Sequence, residues 1–330
     1  MLTEPHDLDR RELEQVLELR WGLHNVGLDY LPVGFGSHHW RAVDSDGQRR
    51  FVTVDDLQAG FQAGPDADAA FTALERAYRT AAALREQAGL EFIVAPLVDG
   101  EGAVIYRLTD RYALTVSPFV EGESTAYGRY ESADDRRRMA TVVGRLHAAT
   151  ELVPPGLPRQ DDFALPSRGA LEDALTDHSR KWTTGPFAEP TRELLAAGAA
   201  TVERRLAEYD ARAARVRASA ASWVVTHGEP HRANVIRDPR GALRLVDWDT
   251  TLLAPRERDL RMVLDENETG WSEYVLACGN VDLDANALQL YRDWWPLAEI
   301  AIYVALFRRP HDWTEDTAKA WQKLKAYLGT

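Results

Sequence analysis

The feature that most constrains the fold is a strand, a polar loop and a hairpin that follow one another between residues 222 and 247. Residues 222–226 are apolar enough for a short strand, and the next eight are His-Gly-Glu-Pro-His-Arg-Ala-Asn. A turn at Asp-Pro-Arg-Gly predicts a hairpin over 235–246. Antiparallel strands joined by a tight turn bring their outer ends together. Asn234 and Asp247 should therefore lie side by side, with Glu229 upstream in the same loop.

An amide oxygen and two carboxylates at one place suit a particular chemistry. Mg²⁺ takes hard oxygen ligands, and Asn234 and Asp247 would offer them to an ion that bridges nucleotide phosphates. Glu229 can orient a hydroxyl group and accept its proton as the oxygen attacks the terminal phosphate. A chance hairpin with polar ends is the alternative. The full order of strand, His-Gly-acid, Asn, hairpin and Asp-Trp-Asp argues against chance.

The part of the chain before residue 117 predicts a mostly antiparallel sheet with one or two helices. The expected elements are a helix over 9–21, a glycine-bearing turn over 33–37, strands over 40–43 and 51–54 about Asp46-Gly47, a helix over 67–88, and strands over 93–97, 103–108 and 112–116. After a hinge at 117–122 the pattern turns helical, with a helix start at Ser132 and further helices from 169 to 217 and beyond 259. The chain is thus of the α+β class.

Composition excludes several classes of protein. The formal net charge of −13 argues against a nucleic-acid partner and is compatible with a cationic substrate, although charge alone favours acidity for solubility as the explanation. No apolar run is long enough to span a membrane, and the N-terminus lacks the pattern of a signal peptide. The single cysteine, Cys278, rules out an intramolecular disulfide. We therefore expect a cytoplasmic setting.

The segment 223–260 resembles the aminoglycoside-phosphotransferase and choline-kinase branch of the protein-kinase-like fold, whose loop carries His-Gly-Asp, four residues and Asn. The continuation over 246–260 (Val-Asp-Trp-Asp-Thr, then Ala-Pro-Arg-Glu-Arg-Asp-Leu) is especially similar to spectinomycin phosphotransferases. The resemblance implies a bilobal fold. Residues 1–117 would form a nucleotide-binding lobe with an antiparallel sheet. Residues 118–330 would form a larger helical lobe with the catalytic loop and the acceptor site.

The resemblance also implies roles for single residues. Glu229 takes the position of the catalytic base, and Asn234 and Asp247 take those of the metal ligands. His227 and Asp259 fall where the family braces the loop. The remaining positions would bind the nucleotide: Gly34, Gly36 and Ser37 over the phosphates, Thr53 on the third strand, and Ser117 and Phe119 at the adenine. From the glycines alone, a plain hairpin turn is an equal alternative.

Two positions depart from the family pattern. Glu229 stands where the family has Asp, which moves the carboxylate outward by about 1.5 Å, one C–C bond. Thr53 stands on the position of a lysine that holds the phosphates, and no lysine precedes Lys181. Arg41, His38 or His39 would have to supply the missing donor. Glu75 is the candidate for the helix glutamate that pairs with the lysine, and a solvated surface role for Glu75 is an equal alternative. A divergent active kinase and a pseudokinase that only binds are both open.

The acceptor is left open by the sequence. The resemblance implies ATP or GTP with Mg²⁺ as cofactors and an aminoglycoside or aminocyclitol antibiotic such as spectinomycin as acceptor, hence antibiotic resistance. A small alcohol of the choline or homoserine type is the alternative. The acidic run at 265–268 could bind ammonium groups or simply be a solvated helix end. The aromatic residues Tyr291, Trp294, Trp295 and Tyr303 are better explained as core. The oligomeric state is open.

Overall fold

The computed structural model describes residues 1–34, 36–58, 66–177, 180–219 and 222–329. Its residues group into two compact units. The first comprises Met1, Thr3–Asp161 and Ala221–Leu283, and the second comprises Leu2, Asp162–Ala220 and Asp284–Thr330. Within the described ranges, no helix has both the length and the apolar character needed to cross a membrane. The sheet-first, helices-later α+β architecture confirms the predicted kinase-like fold class.

Five strands form one antiparallel sheet in the first unit, in the order β1-β2-β3-β5-β4. They are β1 (Gly27–Leu31), β2 (Ser37–Val43), β3 (Arg49–Asp56), β4 (Tyr106–Arg107) and β5 (Tyr112–Pro118). Strands β2 and β3 are the predicted hairpin, with Val43 opposite Arg49. Its turn places Gly47 at φ +76°, a conformation that glycine adopts without strain.

One face of this sheet is covered by helix α1 (Arg10–Trp21). The helix starts where predicted, because the side chain of Asp9 accepts a hydrogen bond from the backbone N–H of Arg11 at 2.9 Å. Leu13 and Leu17 of α1 share a buried cluster with Val52 and Val54 of β3. Since side chains alternate along a strand, Thr53 and Asp55 belong to the other face.

The predicted strands over 93–97 and 103–108 are wrong in extent. Only Tyr106 and Arg107 are in a strand, and Ile93 makes a single isolated bridge to Leu245. Pro96 has no N–H to donate to a continuous ladder, which explains why the first segment does not form a strand. The turn between them is as expected, because Asp99 accepts backbone hydrogen bonds from Glu101 and Ala103, both at 2.9 Å.

The rest of the first unit is helical with short strand pairs. Its helices are α2 (Ala67–Gln87), α3 (Ala133–Ala148), α6 (Glu257–Val263) and α7 (Trp271–Cys278). Its strands are β6 (Val224–Thr226), β7 (Val235–Arg237), β8 (Leu243–Leu245) and β9 (Leu252–Ala254). Ser132 caps α3 as predicted, its hydroxyl accepting from the Asp135 N–H at 3.0 Å. A second buried cluster joins Leu74 of α2, Met139 of α3 and Leu260 of α6.

The second unit is made of helices. They are α4 (Arg168–Thr176), α5 (Ala188–Arg217), α8 (Ala285–Arg308) and α9 (Glu315–Leu328). Tyr291 and Tyr303 on α8 are buried, and the Trp294 indole donates a hydrogen bond to the Ala164 carbonyl at 3.0 Å. The Trp295 indole donates to the Tyr327 hydroxyl at 3.0 Å, so the four aromatic residues have packing or hydrogen-bond roles within this unit.

Candidate active site

The loop between β6 and β7 carries Glu229 and Asn234, and Asp247 follows β8. Strand β7 pairs with β8 in the predicted hairpin, and Val235 lies opposite Leu245. The pairing continues outward, because the Val246 N–H donates to the Asn234 carbonyl at 3.0 Å. The Asn234 amide nitrogen donates to the Glu229 carbonyl at 3.1 Å. The backbone thus places Asn234 next to the start of the Asp247 segment. The amide oxygen of Asn234 is the atom that could face a cation.

Asp247 has an unusual backbone conformation. Its φ is +68°, in the left-handed region that costs a residue with a side chain on the order of 1–2 kcal/mol. The next residue is held firmly, since Trp248 is buried and its indole N–H donates to the Leu245 carbonyl at 3.0 Å. Strain of this kind persists only where the surroundings enforce it, and it clusters at functional sites.

Asp259 of α6 braces the start of the loop. Its two carboxylate oxygens accept the backbone N–H groups of His227 at 2.9 Å and Gly228 at 2.6 Å. His147 of α3 lies 3.1 Å from the same carboxylate, fully buried with it. Burial would raise the pKa of Asp259, but the hydrogen bond with His147 and the nearby His227 and Arg258 hold it below its ordinary value. These are the contacts expected of the bracing position assigned by resemblance.

Gly228 is fixed by a close approach of Arg258. Its φ is +98°, and a methyl group in place of its hydrogen would overlap the guanidinium of Arg258. That guanidinium cannot move freely, because it donates to the Thr226 hydroxyl at 2.9 Å and to the Thr250 carbonyl at 2.8 Å. Only glycine therefore satisfies both the backbone angle and the space at this position.

We expect Gly228→Ala to lower the free energy of unfolding by about 2–4 kcal/mol and turnover by tenfold or more, because overlap adds to backbone strain and shifts the loop. Gly241→Ala is the matched control, since its φ is +81° but nothing lies near a methyl group there. Thermal unfolding and steady-state kinetics measure both effects. Equal losses in the two variants would contradict the role of Arg258.

The carboxylates of the site fall into two electrostatic classes. Burial would raise the pKa of Glu229, but His231, with its Nε2 3.5 Å from Glu229 Oε2, and Arg261 keep it below the ordinary value. Desolvation by the surrounding atoms and the charge of Glu229 raise the pKa of Asp247 to about 6, although this residue remains exposed to solvent. Burial and Asp247 raise the pKa of Asp249 too. Glu229 is thus an ionised base at neutral pH, whereas Asp247 forms no ion pair with a positive side chain among the described residues.

A divalent cation would give Asp247 a positive partner. Among the described residues, no group of three His, Cys, Asp or Glu side chains is arranged to hold a metal ion. Mg²⁺ differs from ions that need such groups, because it is bound through one or two protein oxygens together with substrate phosphates and water. The donor chemistry of Asn234 and Asp247 therefore suits an ion delivered with a nucleotide.

The glycine turn between β1 and β2 starts and ends with left-handed glycines. Gly34 has φ +72° and Gly36 φ +98°, while the intervening Phe35 lies outside the described residues. The Ser37 hydroxyl donates to the buried Asp55 carboxylate at 2.6 Å. In this structure Ser37 thus links the turn to β3.

The β3 residue that contacts helix α2 is Asp55, two positions beyond Thr53. The Tyr78 hydroxyl donates to the Asp55 carboxylate at 3.2 Å, and burial raises the pKa of Asp55 to about 6. Thr53 instead contacts His39 on β2, 3.3 Å from its hydroxyl. Glu75 pairs with Arg79 on the surface of α2 at 3.7 Å. Glu75 therefore has the surface role given as the alternative, and the polar side chain of β3 that contacts α2 is Asp55.

The two positions expected at the adenine lie at the end of β5. Ser117 is opposite Phe51 of β3, and Phe119 follows the exposed Pro118. The Arg49 guanidinium lies 5.6 Å from the centre of the Phe119 ring. The structure thus places Ser117 and Phe119 where the sheet gives way to the segment 119–132 that precedes α3.

Several residues at the site were missed by sequence reasoning. They are Asp55 and Tyr78 near the glycine turn, His147 behind Asp259, and His231 and Arg261 beside Glu229. Asp55 lies two residues after Thr53 and therefore on the same face of β3, so strand alternation could have indicated that Asp55 is also near the site. His231 lies in the loop motif itself. Nothing local marks His147 or Arg261, since their partners are distant in sequence.

Comparison with known proteins finds similarity over most of the chain. A model of the phosphotransferase enzyme family matches residues 30–295, most of the chain. Protein StrN of Streptomyces griseus is 26% identical over 99% of this chain and 96% of its own length.

Solved structures share the fold at low sequence identity. Spectinomycin phosphotransferase APH(9)-Ia, in complex with ADP and spectinomycin, has a TM-score of 0.72 at 16% identity, covering 97% of this chain and 95% of its own. Amicoumacin kinase hAmiN, in complex with AMP-PNP, Ca²⁺ and Ami, has a TM-score of 0.63 at 14% identity. The match covers 97% of this chain and 93% of that kinase. The resemblance drawn from residues 223–260 is confirmed at the level of family and fold.

Proposed function

Because the chain belongs to the phosphotransferase enzyme family as a small-molecule kinase, we propose that it moves the terminal phosphate of ATP to a hydroxyl group of an aminoglycoside or aminocyclitol. Residues 1–117 would bind the nucleotide, and residues 118–330 would contribute the catalytic loop and the acceptor site. The single observation that carries the proposal is the braced loop, in which Asp259 fixes His227 and Gly228 directly before Glu229.

In the proposed reaction Glu229 is the catalytic base. Its lowered pKa keeps it ionised, so it can orient the acceptor hydroxyl and take its proton as the oxygen attacks. Asn234 and Asp247 would hold Mg²⁺, which supplies charge neutralisation between the nucleotide phosphates. Gly34, Gly36 and Ser37 would position those phosphates, and Ser117 and Phe119 would bind the adenine through backbone groups. Asp247, held at positive φ, would present its carboxylate to the ion without further reorganisation.

A cationic acceptor is consistent with the charge around the loop. The chain has a net charge of −13, and Glu229, Asp247 and Asp249 bring three carboxylates to the site. The related structures contain spectinomycin in one case and Ami in another. An amino-sugar or aminocyclitol antibiotic is therefore the acceptor we propose. A small amino alcohol of the choline type is the second candidate, because it is also a cation with a hydroxyl group.

A binding protein without transfer is the competing function. Asp55 lies where β3 contacts α2, and no lysine precedes Lys181. The strand lysine that would bind the nucleotide phosphates is therefore missing. The strained Asp247 and the four-residue brace around Asp259 favour catalysis. A fixed loop and a fixed direction for the Asp247 carboxylate are of use in metal binding and transfer.

The test is incubation of the purified protein with ATP or GTP, Mg²⁺ and a panel of acceptors, followed by mass spectrometry. The panel contains spectinomycin, aminoglycosides, choline and homoserine. We expect a gain of one phosphate on an aminocyclitol or aminoglycoside. Phosphate on choline or homoserine alone would replace the proposed acceptor. Nucleotide binding with no product from any acceptor would contradict transfer.

A further inference from the structure

The nucleotide phosphates need a hydrogen-bond donor that this chain does not supply in the usual way. No lysine precedes Lys181, and the β3 side chain that faces α2 is Asp55, which would repel phosphate. Of the three candidate donors named from the sequence, Arg41 is paired with Asp29 at 2.7 Å on the surface, and His38 contacts the Tyr30 hydroxyl at 3.2 Å. The Met1 ammonium also lies at the turn, where it donates to the Val33 and Ser37 carbonyls. These three groups have partners other than a phosphate, and we therefore consider His39.

His39 lies between the glycine turn and β3. Its Nδ1 is 3.3 Å from the Thr53 hydroxyl, and its ring packs on Phe51 with the centroids 5.0 Å apart. A methyl group on Gly34 would come within 3.1 Å of its Nε2. The Nε2 edge of the ring therefore faces the backbone of the turn, and the Nδ1 edge faces the middle strand of the sheet.

The surroundings of His39 fix its protonation. Burial, the largest cause, lowers its pKa to about 3, so the ring is neutral at physiological pH and carries one N–H group. A threonine hydroxyl that donates to Nδ1 leaves the hydrogen on Nε2. With Thr53 donating to Nδ1, the Nε2 edge that faces Gly34 carries the hydrogen and can donate to a group held under the turn.

We propose that His39, oriented by Thr53, donates a hydrogen bond from Nε2 to a phosphate oxygen of the bound nucleotide and so takes over part of the role of the missing lysine. This inference rests on the proposed function, since it needs a nucleotide under the turn. It assigns Thr53 a positioning role through His39 in place of direct contact with phosphate.

The experiment compares ADP with adenosine, both with Mg²⁺, by calorimetric titration of four proteins. A hydrogen bond to a charged group contributes about 1.5–3 kcal/mol, so His39→Phe should weaken ADP binding about 10- to 100-fold and leave adenosine binding within about twofold. His39→Gln keeps an N–H at the reach of Nε2 and should stay within about fivefold. His38→Gln, the matched control on the neighbouring residue, should bind both like the wild type.

Other outcomes separate this inference from the proposed function. If the wild type binds ADP and His39→Phe binds it equally well, the inference fails while the kinase assignment stands. Equal weakening of ADP and adenosine would show a merely structural ring, which also overturns it. Failure of the wild type to bind ADP overturns both.

A measurement on the wild type covers the case in which His39→Phe does not fold. In protein labelled with ¹⁵N-histidine, the His39 Nε2 resonance, assigned by its loss in His39→Gln, should shift on addition of ADP and stay in place with adenosine. The same response to both ligands, or to neither, would contradict the proposed hydrogen bond.

Discussion

Asp247→Asn is expected to abolish Mg²⁺-dependent nucleotide binding and to lower turnover by at least about a thousandfold, because a metal ion contributes several kcal/mol of charge stabilisation in the transition state. Asn keeps the size of the side chain and removes the charge that holds the ion. Calorimetry with ADP in the presence and absence of Mg²⁺, together with the product assay, measures the loss. Asp282→Asn, at an exposed position, controls for the change in net charge.

The same substitution should stabilise the metal-free protein. The pKa of Asp247 rises from 3.8 to about 6 on folding, through desolvation by the surrounding atoms and the charge of Glu229, although the residue keeps contact with solvent. Below pH 3.8 the carboxyl is protonated in both states and has no effect on stability. Between pH 3.8 and about 6 the unfolded carboxyl has lost its proton while the folded one still holds it, so stability falls as pH rises and levels off above about 6. At pH 7.5 Asn should therefore raise the free energy of unfolding only slightly, by at most about 1 kcal/mol, because solvent screens the charge of the exposed Asp247.

Thermal unfolding with and without Mg²⁺ tests this second effect. In the wild type Mg²⁺ should raise the melting temperature at pH 7.5 and much less at pH 5, where protons compete for Asp247. The melting temperature of Asp247→Asn without Mg²⁺ should be slightly higher than that of the wild type, and adding Mg²⁺ should not change it. An undiminished response to Mg²⁺ in this variant would contradict the assignment of Asp247 as a metal ligand.

Local signals allowed most of the fold to be predicted from the sequence. Asp9 and Ser132 mark helix starts because a short polar side chain next to an apolar period satisfies the first backbone N–H groups. Asp46-Gly47 marks a hairpin because glycine tolerates the turn. The strands over 93–97 and 103–108 were overestimated. Their apolar character reflects burial against other elements, and Pro96 prevents a continuous ladder.

The site was predictable only as far as its residues are near in sequence. Asn234 and Asp247 are joined by one hairpin, so spacing alone brings them together. Asp55 and Tyr78 are 23 residues apart, and His147 and Asp259 are 112 apart. No local pattern states which buried polar groups will meet over such distances. The position of Asp55 at α2 follows from how the helix packs on the sheet, which the sequence does not display.

Substitution of Glu229 should have the second large effect on turnover. Glu229→Gln should lower kcat by about 10²–10⁴-fold, the usual contribution of a general base, with little change in ADP affinity. Gln retains the length and can accept a hydrogen bond, but it cannot take the proton of the acceptor hydroxyl. Single-turnover product formation and ADP titration separate the two quantities. Glu151→Gln, at an exposed position, is the control.

Glu229→Asp asks whether the longer side chain is a defect or an adaptation. The carboxylate of Glu229 lies 3.5 Å from His231 and is influenced by Arg261, so its present position has its own support. Asp would withdraw the carboxylate by about 1.5 Å, and a misplacement near 1 Å can cost about a hundredfold in rate. We therefore expect a loss of tenfold or more, although the family pattern has Asp here. A gain in kcat would show instead that His231 and Arg261 hold Glu229 away from its best position, and that this site evolved away from efficient transfer.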